Sequence, residues 1–126
     1  EAIWEFNLDE QQIYVVGFNQ GAAMAQSLAM VMGNAIRGTA ALNGYLPEFV
    51  ALEYSKKTMD KSKIFISHGE YDYDFPIEWA EHAVRFFNDY DTDVTFRTYP
   101  VGHGVSEQNL HDLNVFLSKD LPNTIN

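Results

Sequence analysis

The sequence predicts an α/β fold: a mostly parallel sheet of about four strands with flanking helices. Three observations carry this expectation. Ile13-Tyr14-Val15-Val16 is a continuous apolar run, the pattern of a strand buried on both faces, and Lys63-Ile64-Phe65-Ile66-Ser67 reads as a further strand. Segments with helical spacing follow such runs. Glycines stand where the first and third strands should stop, at Gly17 and Gly69. The chain of 126 residues is long enough for one core. With no internal repeat or dividing linker, residues 1–126 are expected to form a single domain.

The elements follow in order. Ala2 to Leu8, with Ile3, Trp4 and Phe6, reads as the end of a helix, and Asp9 to Gln12 as a polar link. Ile13 to Val16 is the first strand. Gln20 to Met32 is a helix, apolar nearly all round and therefore central. Its Met24 and Met30 are expected in the core, and Gly33 is placed to end it. Thr39 to Leu42 is a weaker second strand, followed by the turn Asn43-Gly44. Phe49 to Lys63 reads as a loop or short helix, and Lys63 to Ser67 as the third strand. Pro76 opens a helix in which Ile77, Ala80, Ala83, Val84 and Phe87 form one apolar stripe, running to about Tyr90. Val94 to Tyr99 alternates as a fourth strand. Ser106 caps a final helix bearing Leu110, Leu113, Phe116 and Leu117, and Pro122 to Asn126 is a frayed tail.

Composition narrows the function. Hydrophobic residues make up 46%, too many for a disordered chain. No apolar run approaches the ~18 residues that span a bilayer. A formal net charge of −10 repels phosphate backbones and anionic lipid, so the expected ligand is neutral or cationic and nucleic acid is set aside. The absence of cysteine excludes disulfides and thiolate chemistry and fits the cytoplasm. No compact spacing of His and carboxylates suggests a metal, and no cofactor is expected. Glu1-Ala2-Ile3-Trp4 is no signal peptide, and the missing initiator Met suggests a cut or processed start.

Ligands of open α/β sheets bind beyond the carboxyl ends of the strands. The loops there are Gly17-Phe18-Asn19-Gln20-Gly21, His68-Gly69-Glu70-Tyr71-Asp72 and Gly102-His103-Gly104. The first resembles the α/β-hydrolase nucleophile elbow Gly-x-Ser-x-Gly, which an acid and then a His follow in chain order. The likeness is closest to the carboxylesterase/phospholipase family that includes the acyl-protein thioesterases. There the elbow reads Gly-Phe-Ser-Gln-Gly. That family's acid loop, His-Gly-x-x-Asp-x-x-Val-Pro, is matched by His68, Gly69, Asp72 and Pro76, with Phe75 for the Val. Its Gly-His-x-x-Ser is matched by Gly102, His103 and Ser106, and its Ser-Gly-Tyr-Leu-Pro turn by Asn43 to Pro47.

The resemblance spans almost the whole chain and implies the C-terminal portion of an α/β-hydrolase acting on carboxylic esters or thioesters. It implies Asn19 at the nucleophile position, His103 as general base and Asp72 as its orienting acid. Gln20, through its backbone N–H, together with Phe18 and Asn43, is expected to contact the oxyanion or substrate. Asp74 is a rival acid or a cap for the helix at Pro76. His68 is expected to be a structural hydrogen-bonder, His82 and His111 surface residues, and Asp89, Asp91 and Asp93 a solvated face.

Two departures matter. Asn19 has no hydroxyl to deprotonate and its amide nitrogen is delocalised, so the acyl-transfer step is expected to be disabled. The alternative is a pseudoenzyme that binds a ligand or partner through the old pocket or a sheet edge; deamidation of Asn19 to a nucleophilic carboxylate ranks below both. The family's first half has no counterpart in this sequence. If strand order follows the family, Ile13–Val16 becomes an exposed edge that pairs with another copy, with a separate N-terminal piece or with residues outside this sequence.

Overall fold

In a computed structural model, residues 3–9, 12–47 and 58–118 are described, the side chains of 3–9 and of Gln12 excepted. Among the described residues, five strands form one sheet in the order β1-β2-β3-β4-β5. They are β1 (Ile3–Asp9), β2 (Gln12–Phe18), β3 (Gly38–Leu42), β4 (Lys63–Gly69) and β5 (Asp93–Tyr99). The last four pair in parallel, with Val16 opposite Ala40, Ala40 opposite Phe65 and Phe65 opposite Thr95. Among the described residues, three α-helices connect and cover them: α1 (Gln20–Met32), α2 (Ile77–Asp89) and α3 (Glu107–Ser118). Among the described residues, no helix is long and apolar enough to cross a membrane.

The unalternating runs are central strands because both faces of the sheet are covered. Ala41, Ile64 and Ile66 point into one layer with Ala22, Ala29 and Met30 of α1 and Ala80, Ala83 and Phe87 of α2. Val16, Ala40, Leu42 and Phe65 point the other way, against Leu113 and Phe116 of α3. Each fully buried Ile or Phe contributes roughly 1.5–3 kcal/mol, so these two layers dominate the stability of the sheet. The small alanines of α1 and α2 let both helices approach the strands closely.

Caps set the helix limits. Gly33, at φ 58°, closes α1 with its N–H on the Ala29 carbonyl. The Ser106 hydroxyl accepts from the Asn109 N–H at 3.1 Å and opens α3. At the far end of α3, the Lys63 ammonium donates to the Phe116 carbonyl at 2.8 Å, placing a cation on the negative end of the helix.

Two expectations are corrected here. Ala2 to Leu8 is not a helix end: Ile3–Asp9 is a strand, antiparallel to β2, with Trp4 opposite Val16 and Phe6 opposite Tyr14. The reason lies in the period. Trp4, Phe6 and Leu8 alternate with Glu5, Asn7 and Asp9, a repeat of two that suits a strand and not a helix. The same strand removes the predicted edge. β2 lies between β1 and β3, so this chain itself pairs the segment Ile13–Val16 that was expected to seek a partner.

A third correction concerns α1. Met30 is fully buried, but Met24 is 61% exposed, and Val31 and Met32 are exposed as well. A helix apolar all round can offer only part of its surface to one sheet. The Phe49–Lys63 segment is described only from residue 58 onward, and the tail from Pro122 lies outside the described residues.

Candidate active site

The carboxyl ends of β2 to β5 share one rim, and the loops leaving them hold the candidate residues. β2 ends at Phe18 and α1 begins at Gln20, so Asn19 alone makes the turn. Its φ of 60° and ψ of −121° lie where an L-residue is strained, at a cost of about 1–3 kcal/mol. Backbone hydrogen bonds hold it there. The Asn19 N–H donates to the Leu42 carbonyl at 3.0 Å, and the Asn19 carbonyl accepts from Ala22 N–H at 3.0 Å and Ala23 N–H at 3.4 Å. Each contributes roughly 0.5–1.5 kcal/mol, enough together to offset the strain. Gly17 gives the room: a Cβ there would collide with the Gly21 carbonyl one turn on.

The acid and base come from the next loops. Asp72, 4% exposed, is locked by its own turn. Its Oδ1 accepts from the backbone N–H of Asp74 at 3.0 Å and of Phe75 at 2.9 Å. Its Oδ2 meets His103 Nδ1 at 2.5 Å. Burial pushes the Asp72 carboxyl up, but the His103 hydrogen bond, the Phe75 N–H, the charge of a protonated His103 and the Asp74 N–H together hold it below its ordinary value. An ionised Asp72 places the proton on Nδ1 of His103 and the lone pair on Nε2. That is the tautomer of a general base. Phe18 and Phe75 flank the imidazole, at 5.9 and 4.9 Å between ring centroids.

The third loop joins through Asn43, the residue after β3. Its carboxamide donates to the Gly104 carbonyl at 2.5 Å and accepts from the Gly69 N–H at 2.9 Å. Its own N–H donates to the Ser67 carbonyl at 2.8 Å. One fully buried side chain thus ties the acid loop to the base loop. Asn43 was expected to contact the oxyanion or substrate; the structure corrects this, because both ends of its amide are taken up by backbone and none of it is accessible.

The other expected residues fall as follows. Gln20 is exposed at the first position of α1, where its N–H is among those that no helical carbonyl reaches. Phe18 is half-buried and backs the imidazole. His68 is fully buried, and its Nε2 donates to the Phe75 carbonyl at 2.5 Å, bracing the loop that carries Asp72. Asp74 neither holds His103 nor caps α2, whose start has no side-chain cap. The Asn19 Oδ1 is buried without a hydrogen-bond partner among the described residues. No cluster of three potential metal ligands occurs among them either.

Beside the dyad opens a groove of about 720 Å³, a size ordinary for small-molecule sites. Gln20, Tyr45, Leu46, Phe75, Trp79 and His82 line it. Tyr45, Phe75 and Trp79 pack pairwise at 5.5 to 5.8 Å between centroids. Sequence reasoning missed this wall. The signal was present: Trp79 stands off the apolar stripe of α2, so its ring had to face something other than the core.

A model of the phospholipase/carboxylesterase family matches residues 3–121. Acyl-protein thioesterase 1 of Mycosarcoma maydis is 30% identical over 121 residues, covering 91% of this chain and 50% of that protein. The thioesterase of the same name from Saccharomyces cerevisiae is 31% identical, covering 88% and 51%. Among solved structures, a Bacillus cereus carboxylesterase superposes with a TM-score of 0.76 at 19% identity, over 88% of this chain and 51% of its own. Arabidopsis thaliana SOBER1 gives 0.74 at 22% identity, over 84% and 51%. The chain spans about half the length of the curated relatives it matches. With the elbow turn, the parallel strands and the family match in agreement over nearly all its length, this chain belongs to the phospholipase/carboxylesterase family.

Proposed function

We propose that this chain carries the acid–base half of an ester or thioester hydrolase site, with the acylation step disabled at Asn19. The observation that supports it most is the Asp72–His103 pair, held at 2.5 Å beside a strained elbow whose tip is a carboxamide. His103 Nε2 has the lone pair a general base needs, but Asn19 gives it no hydroxyl proton to take. Loss of the nucleophile from such a triad removes on the order of a million-fold in turnover. What remains is a groove for an acyl ester, an N–H at the start of α1 for its carbonyl oxygen, and a base without a nucleophile. With Asn at position 19, the protein is accordingly a binder of small acyl esters. Its cysteine-free composition supports a cytoplasmic setting.

The test is Asn19→Ser, assayed beside the parent on short-chain p-nitrophenyl esters. The serine variant is expected to show a burst of p-nitrophenol that the parent lacks, with steady turnover when the other half of the hydrolase fold is supplied. Parent turnover equal to that of the variant refutes a disabled nucleophile.

A further inference from the structure

The chemistry of the groove's contents follows from its walls and the charges around them. Three aromatic rings, Tyr45, Phe75 and Trp79, line the same cavity, and Trp79 is 43% exposed to it and to solvent. Among the described residues, no Lys or Arg lines the groove. None occurs in the rim segments 18–22, 43–47, 70–76 and 100–106, or in the first two turns of α2. Acids do: Glu70, Asp74, Glu78 and Glu81 are all exposed there. At the opposite end of the strands the charges are mixed: Arg37, Lys61 and Lys63 lie there beside Asp60 and Asp93. Among the described residues, the charges on the rim around the groove are therefore all acidic.

We propose that this groove receives the cationic end of its ligand, so that the ester taken up carries a quaternary ammonium group. An aromatic face attracts a cation through its quadrupole, and the weakly hydrated ammonium loses little on leaving water. The acidic rim raises the local concentration of such a ligand and steers it inward. A sulfate- or phosphate-terminated ester meets the reverse field. Phe75 lies both in this wall and against the His103 ring, so an ammonium held over the rings leaves its ester carbonyl within a few bonds of the base. The inference rests on the groove being the substrate's.

Calorimetric titration of the chain with acetylcholine and with 3,3-dimethylbutyl acetate tests it, since the two differ only in nitrogen for carbon. The cation is expected to bind about tenfold more tightly, with the margin shrinking at high salt. Trp79→Leu keeps an apolar wall and is expected to bring the two ligands level, with circular dichroism confirming the fold. Glu78→Gln, a surface change, is expected to cut the margin about twofold at low salt and not at high salt. Equal binding of both esters, or a margin that survives Trp79→Leu undiminished, overturns the proposal but leaves the groove as an ester site. Failure of both esters to bind overturns the groove itself.

Discussion

The elbow at Asn19 and the acid–base loops stand on one rim of the sheet, built alike and ending differently. At the elbow, a strained φ, two backbone hydrogen bonds from α1 and a glycine clearance present one side chain at a tip. At the loops, Asn43, His68 and two backbone N–H groups fix an acid against a base. The loops end in a His–Asp pair fit to move a proton, and the elbow ends in a carboxamide, which has no hydroxyl for a histidine to deprotonate. The contrast teaches that the geometry of this site is a property of backbone and neighbouring loops, whereas its reactivity sits in single side chains. One residue can change the second without disturbing the first.

Four experiments break or sharpen that comparison, from the largest effect to the smallest. If the two differ only at the tip, Asn19→Ser raises the rate of the acylation burst by several orders of magnitude, toward the roughly million-fold of a restored nucleophile. The melting temperature is expected to move little, because the hydrogen bonds that hold the turn are backbone to backbone. Next, Asn43→Ala unties the loops. It orphans the buried Gly69 N–H and the part-buried Gly104 carbonyl and is expected to cost about 2–4 kcal/mol in urea unfolding. An unchanged midpoint would mean that the loops hold their positions without it.

Asp72→Asn probes the electrostatic side. The folded-state value of Asp72 lies below its unfolded value, so its contribution is present above the unfolded value and is lost as pH falls through the folded one. The parent should therefore lose stability on acidification below the ordinary carboxylate range, and the variant should show a shallower acid limb by thermal melts. Equal slopes would remove Asp72 as a source of acid sensitivity. Last, Ser106→Ala removes only the α3 cap and is expected to cost about 1 kcal/mol, leaving ester binding unchanged.

Much of this was legible in one dimension. Ile13–Val16 announced a buried parallel strand because both of its faces had to be apolar, and Lys63–Ser67 announced a strand by its run of Ile, Phe and Ile. The stripe of Ile77, Ala80, Ala83 and Phe87 gave α2, and Ser106 its neighbour's start. Asp72 and His103 stand in the loops where the motif put them, and their contact follows from strands that share a rim. Ile3–Asp9 is a strand against a helical expectation because its period of two, and not its three apolar residues, decides its structure. Met24 was misplaced because composition alone does not say which face of an apolar helix meets the sheet.

The amino-acid sequence by itself determined the order of the four parallel strands and of the described helices that follow them, the glycines that permit the elbow, the acidic charge and the presence of Asn at the elbow's tip. These are local properties: period, propensity and chemical identity are fixed residue by residue. The tertiary structure alone decided that Asn43 locks two loops instead of meeting a ligand, and that Tyr45, Phe75 and Trp79 converge beside the base. Those outcomes join residues from different loops and helices. Only packing the helices onto the sheet sets the distances between them.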